Sequence, residues 1–208
     1  MINNKVLNFF LQNYAPGRIG LIGANDIVGT MIRAGQQRLT LDGKPSKWSH
    51  TFIMGEKRND GKNDGSIYIF ESDLSISIKN FRLENGVMES RLIKWCDEKI
   101  EHACVLGLDL QDREVERMLS FALGTAYEYE KPLKYPVLEL VGTLIAIATR
   151  NLHKKNIFDD RYAVQCASFV QKVYQSIQRD PIIDAVHTTN TSPEKIYQSK
   201  VFTYKVEM

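Results

Sequence analysis

Two short runs constrain this chain most. WSHTFIMG (Trp48 to Gly55) and SIYIFESDL (Ser66 to Leu74) each alternate apolar and polar residues, and the polar run EKRNDGKNDG (Glu56 to Gly65) lies between them. Alternation with a period of two builds a strand, because successive side chains point to opposite faces of a sheet. The Asn, Asp and Gly content of the connection is turn chemistry. The pair is predicted as a β-hairpin, with Trp48, His50, Phe52 and Met54 on one face of the first strand. Ile67, Ile69 and Glu71 share a face of the second.

Around this hairpin the pattern predicts further strands at Arg18 to Ile22, Ser75 to Leu83, Ala103 to Leu108 and in the terminal KVFTYKV. Helices are predicted over Asp26 to Gln36, Gln111 to Gly124, about Pro136 to Leu152 and from near Tyr162. TSPEKIYQS adds a helix start, with Ser192 as N-cap, Pro193 at the first helical position and Glu194 beside the positive end. Strands grouped before helices predict an α+β domain with a mostly antiparallel sheet packed against helices. No repeat, low-complexity tract or Pro/Gly/Ser-rich linker divides the chain, so residues 1–208 are read as one domain.

A net charge of +2, with no basic stripe interleaved with aromatics, gives no footprint for nucleic acid. Cys96, Cys104 and Cys166 are an odd set without CxxC spacing, which argues against a disulfide framework and a structural zinc site; no metal or cofactor is expected. The start, MINNKVLNFFLQNYAPG, lacks the parts of an export signal, and a cytoplasmic location is the expectation. VLELVGTLIAIAT (Val137 to Thr149) is too short to span a membrane and carries Glu139; it reads as a buried helix or as a lipid-facing or lid helix. The glycines of GRIGLIGANDIVG do not give GxGxxG, and neither a GxSxG elbow nor a GKS/T loop occurs.

The chemistry centres on RYAVQCASFVQKVY, where Cys166 precedes a stripe of Phe169, Val170, Val173 and Ile177 at helical spacing. Burial on that stripe makes Cys166 a core residue; a place in the first turn makes it a thiol that the helix dipole activates. Periodicity leaves both readings open. A nucleophilic cysteine needs an imidazole and a group that orients it. Of the four histidines, His153 sits in a basic helix end, His187 in a polar loop close behind Cys166, and His102 at the opening of a strand. His50 lies mid-strand between Trp48 and Phe52, where it must be satisfied as a structural residue or used. Glu71, a carboxylate in an apolar strand, needs a partner, and hairpin pairing would make it a cross-strand or diagonal neighbour of His50. His50, Glu71 and Cys166 thus form a possible triad drawn from two strands and a helix start.

The order G-x-I-x-L-I, S-H-T-F-I-M, I-F-E-S, Y-x-x-x-C-A-S-F-V, from about Arg18 to Tyr204, resembles the circularly permuted NlpC-like branch of the papain-fold cysteine hydrolases. In that branch the histidine strand precedes the cysteine helix, as here. The resemblance implies a papain-like, permuted NlpC-type fold with the catalytic cysteine at a helix N-terminus. It further implies Cys166 as nucleophile, His50 as general base and acid, Glu71 as the group orienting His50, and Tyr127 of GTAYEY as an active-site tyrosine. The backbone N–H of Cys166 would serve the oxyanion. The chain departs from the family at Ala167 and Ser168, where many relatives carry Ser-Glu, and at Glu128, where aspartate is common; both bear on specificity.

The activity so implied is hydrolysis of an amide or peptide bond through a thioester, on small peptides of the cell-wall type. The alternative is lipid chemistry on the same triad, as a thioesterase, phospholipase or acyltransferase. It is motivated by Val137 to Thr149 and by a likeness to lecithin:retinol-acyltransferase-like enzymes, whose Asn-Cys-Glu-His motif VQCASF does not match. A third reading is a catalytically silent binding module. The expected partner is a small peptide or lipid-like substrate, with neither nucleic acid nor a membrane span.

Overall fold

The computed structural model describes residues 1–59, 61, 66–77, 82–128, 137–155, 165–182 and 186–208, without the side chains of 74–77, 82–85, 127–128 and 137–141. Along the chain run α1 (Asn4–Gln12), β1 (Ile19–Ala24), α2 (Ile27–Gly35), β2 (His50–Lys57), β3 (Ile67–Ser77), β4 (Arg82–Arg91) and β5 (Ile100–Gly107). Then follow α3 (Asp112–Glu128), α4 (Val137–Thr149), α5 (Cys166–Gln175), α6 (Pro193–Gln198) and β6 (Tyr204–Glu207). The strands form one sheet in the order β4-β3-β2-β1-β5-β6, and every pairing is antiparallel. The class is α+β, as the grouping of strands before helices predicts.

The hairpin at the centre of the sequence pairs Ile53 with Phe70 and Met54 with Ile69. Carried three places toward the start of β2, this register sets His50 opposite Asp73 and leaves Glu71 on the diagonal. One face of the sheet holds Phe52, Met54, Ile67 and Ile69 with Ile22 and Val105, under Val6, Leu7 and Phe10 of α1 and Leu92 of a 3-10 turn, Leu92–Trp95. The other face, with Ile53, Phe70, Leu21 and Leu106, carries Met118 and Ala122 of α3, Phe169, Val170 and Val173 of α5, and Ile196 of α6. Two apolar layers therefore clamp one sheet.

Several elements differ from expectation for identifiable reasons. Trp48 does not share the face of Phe52 and Met54: β2 begins only at His50, so Trp48 lies before the pleat and packs in the opposite core, 5.0 Å from the Tyr197 ring. The expected strand Ser75 to Leu83 is instead the end of β3 and the start of β4, with residues 78–81 outside the described residues. α1 forms because the Asn3 side chain accepts hydrogen bonds from the Lys5 and Val6 N–H groups, while Val6, Leu7 and Phe10 supply a buried stripe. α3 passes Gly124, where its predicted end lay: that glycine faces open space and costs only about 1 kcal/mol inside a helix.

The capping signal at Ser192 holds, and Asp26, where the pattern starts a helix, also acts as a cap. Asp26 accepts from the Gly29 N–H at 2.7 Å and opens α2, and Ser192 accepts from the Lys195 N–H and opens α6. Among the described residues no helix is long and apolar enough to cross a membrane. In α4, Thr143, Ala146 and Ile147 are buried while Ile145 is exposed.

Candidate active site

α5 begins at Cys166. Gln165 is extended (φ −71°, ψ 157°), and its carbonyl accepts from the Phe169 N–H at 2.8 Å to close the first turn. Cys166 is thus the first helical residue; its N–H has no intrahelical acceptor, and its sulfur lies at the positive end of the helix. Phe169, Val170, Val173 and Tyr174 are fully buried beneath it, and the Tyr174 hydroxyl donates to the Gly17 carbonyl at 2.7 Å. These contacts fix the helix and leave the thiol half-buried. The other two cysteines lie inside the cores, and burial pushes the Cys104 thiol up to about 12.

His50 opens β2 and is 8% exposed; Glu71 on β3 is fully buried. The His50 Nε2 and Glu71 Oε2 atoms are 2.9 Å apart. A carboxylate accepts only, so Nε2 carries the hydrogen and Nδ1 is left for the Cys166 side, whose sulfur acts on the ring. The structure thus brings the three sequence-derived residues together in a chain from carboxylate to imidazole to sulfur. Tyr127 lies in the last turn of α3, and its side chain is outside the described residues.

Two further donors hold Glu71. The Trp95 Nε1–H donates to Oε2 at 2.6 Å, and Lys94 Nζ donates to Oε1 at 2.9 Å while also reaching Asp73 Oδ2 at 2.5 Å. The Trp95 ring covers the His50 ring, with centroids 4.5 Å apart and planes tilted by 34°. Burial alone would raise the Glu71 carboxyl, but the hydrogen bond and charge of His50, and then Lys94, hold it well below the ordinary carboxylate range. Burial likewise works against a charged His50. The negative charge and hydrogen bond of the Cys166 sulfur, then Glu71, overcome it and lift His50 to about 10. At neutral pH the ring is therefore an imidazolium bonded to the Glu71 carboxylate and set beside the Cys166 sulfur.

His102, His153 and His187 take no part. His102 lies against the Trp48 ring at 6.4 Å, His187 bonds Thr189 at 2.8 Å, and none of the three lines the cavity at Cys166. That cavity measures about 220 Å³ and has two ends of different character. Ser49, His50, Ser72, Asp73 and Gln165 surround the thiol, and Val28, Ile32, Leu144 and Ile147 of α2 and α4 form an apolar wall. The Gln165 side chain donates to Thr143 Oγ1 at 2.7 Å, which ties the residue before Cys166 to α4. Lys94, Trp95 and Gln165 carry no periodic or motif signal. The one clue to Lys94 and Trp95 is the need of a buried Glu71 for more donors than a single imidazole supplies.

No protein-family model matches this sequence, and no curated protein matches it.

Proposed function

We propose that this protein is a cysteine hydrolase that cleaves an amide or peptide bond through a thioester on Cys166, on the permuted papain-like fold of the NlpC-like branch. The observation that carries this reading is His50 bonded to buried Glu71 and set beside a thiol in the first turn of a helix, both lining one cavity. The same three residue types packed as core would not require an imidazolium beside the sulfur.

In the reaction the Cys166 sulfur, as thiolate, attacks the amide carbonyl carbon and forms a C–S bond. The carbonyl oxygen takes the negative charge and is met by the Cys166 N–H, with the Gln165 side-chain amide beside it. His50 gives its Nδ1 proton to the departing amine as the C–N bond breaks, leaving a thioester and a neutral imidazole. Nδ1 then takes a proton from water, whose oxygen attacks the thioester; the C–S bond breaks, the acid is released and the ion pair is restored. Glu71 stays ionised throughout, fixing the ring through Nε2, and Lys94 and Trp95 hold Glu71 in turn.

A second reading, a lipid-directed thioesterase, phospholipase or acyltransferase on the same residues, is favoured by the apolar wall of α2 and α4. Intact-protein mass spectrometry after exposure to peptide and lipid extracts tests both. An acyl adduct on Cys166, absent from Cys166→Ser, is expected, and its mass names the acyl group. Hydrolysis of the responsive substrate should fall about 10²- to 10⁴-fold in His50→Ala. Turnover that survives Cys166→Ala unchanged would sink the proposal and leave a silent binding module.

A further inference from the structure

We infer that the cavity beside Cys166 is a subsite for a neutral, linear aliphatic chain on the acyl side of the scissile bond, whatever the leaving group; this rests on the reading of Cys166 as nucleophile. The cavity is bipolar. At the sheet end the groups that handle a carbonyl converge: the Cys166 thiol, His50 and the Gln165 amide. At the helical end Val28 and Ile32, one turn apart on α2, face Leu144 and Ile147, one turn apart on α4. A carbonyl bonded at the sulfur sends its substituent toward that wall.

The four wall residues favour an uncharged substituent. Among the described residues no lysine or arginine lines the cavity, so none of them gives a carboxylate tail a cation. Its two aspartates are committed elsewhere: Asp26 accepts from the Gly29 N–H at 2.7 Å, and Asp73 pairs with Lys94 at 2.5 Å. Val28, Ile32, Leu144 and Ile147 themselves give a charged tail no partner. What is left is dispersion and apolar burial, which reward methylene after methylene.

Two glycines give the wall its shape. A Cβ on Gly29 would sit 2.7 Å from the Ala24 carbonyl oxygen, and one on Gly35 would sit 2.3 Å from Leu144 Cδ2. Their absence lets α2 close on both β1 and α4 and makes a narrow corner rather than an open groove. The way in is apolar as well. Val28 lines the cavity and is still 49% exposed, and Ile27 and Met31 beside it on α2 are 82% and 65% exposed. A chain can enter along α2 without leaving apolar contact.

Alkylation of Cys166 by chloromethyl ketones tests this without depending on turnover. The sulfur displaces chloride, a C–S bond forms, and the ketone carbonyl stands where the substrate carbonyl would. Rates for 1-chlorodecan-2-one, chloroacetone and leucine chloromethyl ketone are each divided by the rate with free N-acetylcysteine, and the site is read by peptide mass spectrometry. The long chain is expected to react about 100-fold or more faster than chloroacetone, given the methylenes it buries. Ile147→Trp and, separately, Ile32→Trp should cut that ratio below about tenfold by filling the corner; having two variants guards against misfolding of one. A ratio within about threefold of unity, a ratio that both wall variants leave intact, or a preference for the leucine reagent overturns the subsite. Failure of the nucleophile reading shows up separately, as a chloroacetone rate on Cys166 that His50→Ala does not lower.

Discussion

At the scale of single residues, Glu71 holds the site together. It is fully buried yet accepts from His50, Trp95 and Lys94, so its charge is both required and shared. Removing one partner of such a buried set leaves the others uncompensated, and Glu71→Ala should cost about 3–5 kcal/mol in urea denaturation at neutral pH. The pH dependence has a definite sign. His50 is raised from 6.5 to about 10 on folding, so its contribution is complete below about pH 6.5 and is lost as pH rises through 10. Glu71 is lowered from 4.5, so its contribution is complete above that value and is lost as pH falls below it. Stability followed by urea denaturation should therefore decline from pH 6.5 toward 10 and again below pH 4.5, and both slopes should shrink in Glu71→Ala. The His50–Glu71 contact was legible in the sequence because a carboxylate in an apolar strand demands a partner at strand spacing. Lys94 and Trp95 were not, because they sit in a 3-10 turn, where no periodicity marks which side chain turns inward.

At the scale of elements, boundaries written in capping chemistry were readable and those set by packing were not. Asp26 and Ser192 announce α2 and α6 because each pairs a side-chain oxygen with a bare helix N–H. α5 has no such signal: Gln165 caps it without a side-chain hydrogen bond to the helix, and burial of Phe169 to Tyr174 decides where it sits. The run from Ser75 to Leu83 misled because both ends of a long hairpin are strand-like and alternation alone does not show the reversal. α2 lies against the sheet only because residue 29 lacks a side chain. Gly29→Ala presses a methyl on a backbone oxygen that cannot move aside, and should destabilise by about 1–3 kcal/mol. A fall in the thermal midpoint, together with a slower long-chain alkylation of Cys166, is the expected result; an unchanged midpoint would show that α2 has room to shift.

At the scale of the whole molecule, the sheet joins residues far apart in sequence, and the site lies where its two apolar layers meet at the start of β2. α5 belongs to one layer and the Leu92–Trp95 turn to the other, so the Cys166 thiol and the support of the His50 imidazole arrive from opposite faces. Sequence order predicted the α+β class, yet this division between faces depends on strand order, which alternation does not encode. The stacking of Trp95 on His50 has a consequence of a different kind: the molecule carries its own optical gauge. There are two tryptophans. Trp48 holds a buried indole N–H with no partner among the described residues, so Trp48→Phe removes an unsatisfied donor and leaves Trp95 as the sole indole emitter. An imidazolium 4.5 Å away withdraws electron density from an excited indole and quenches it. Emission from Trp48→Phe should brighten as pH is raised through about 10, when His50 gives up its proton, and the step should vanish when His50→Ala is added. Read in a stopped-flow instrument, the same glow would time each gain and loss of the His50 proton, and under the proposed mechanism would follow turnover directly.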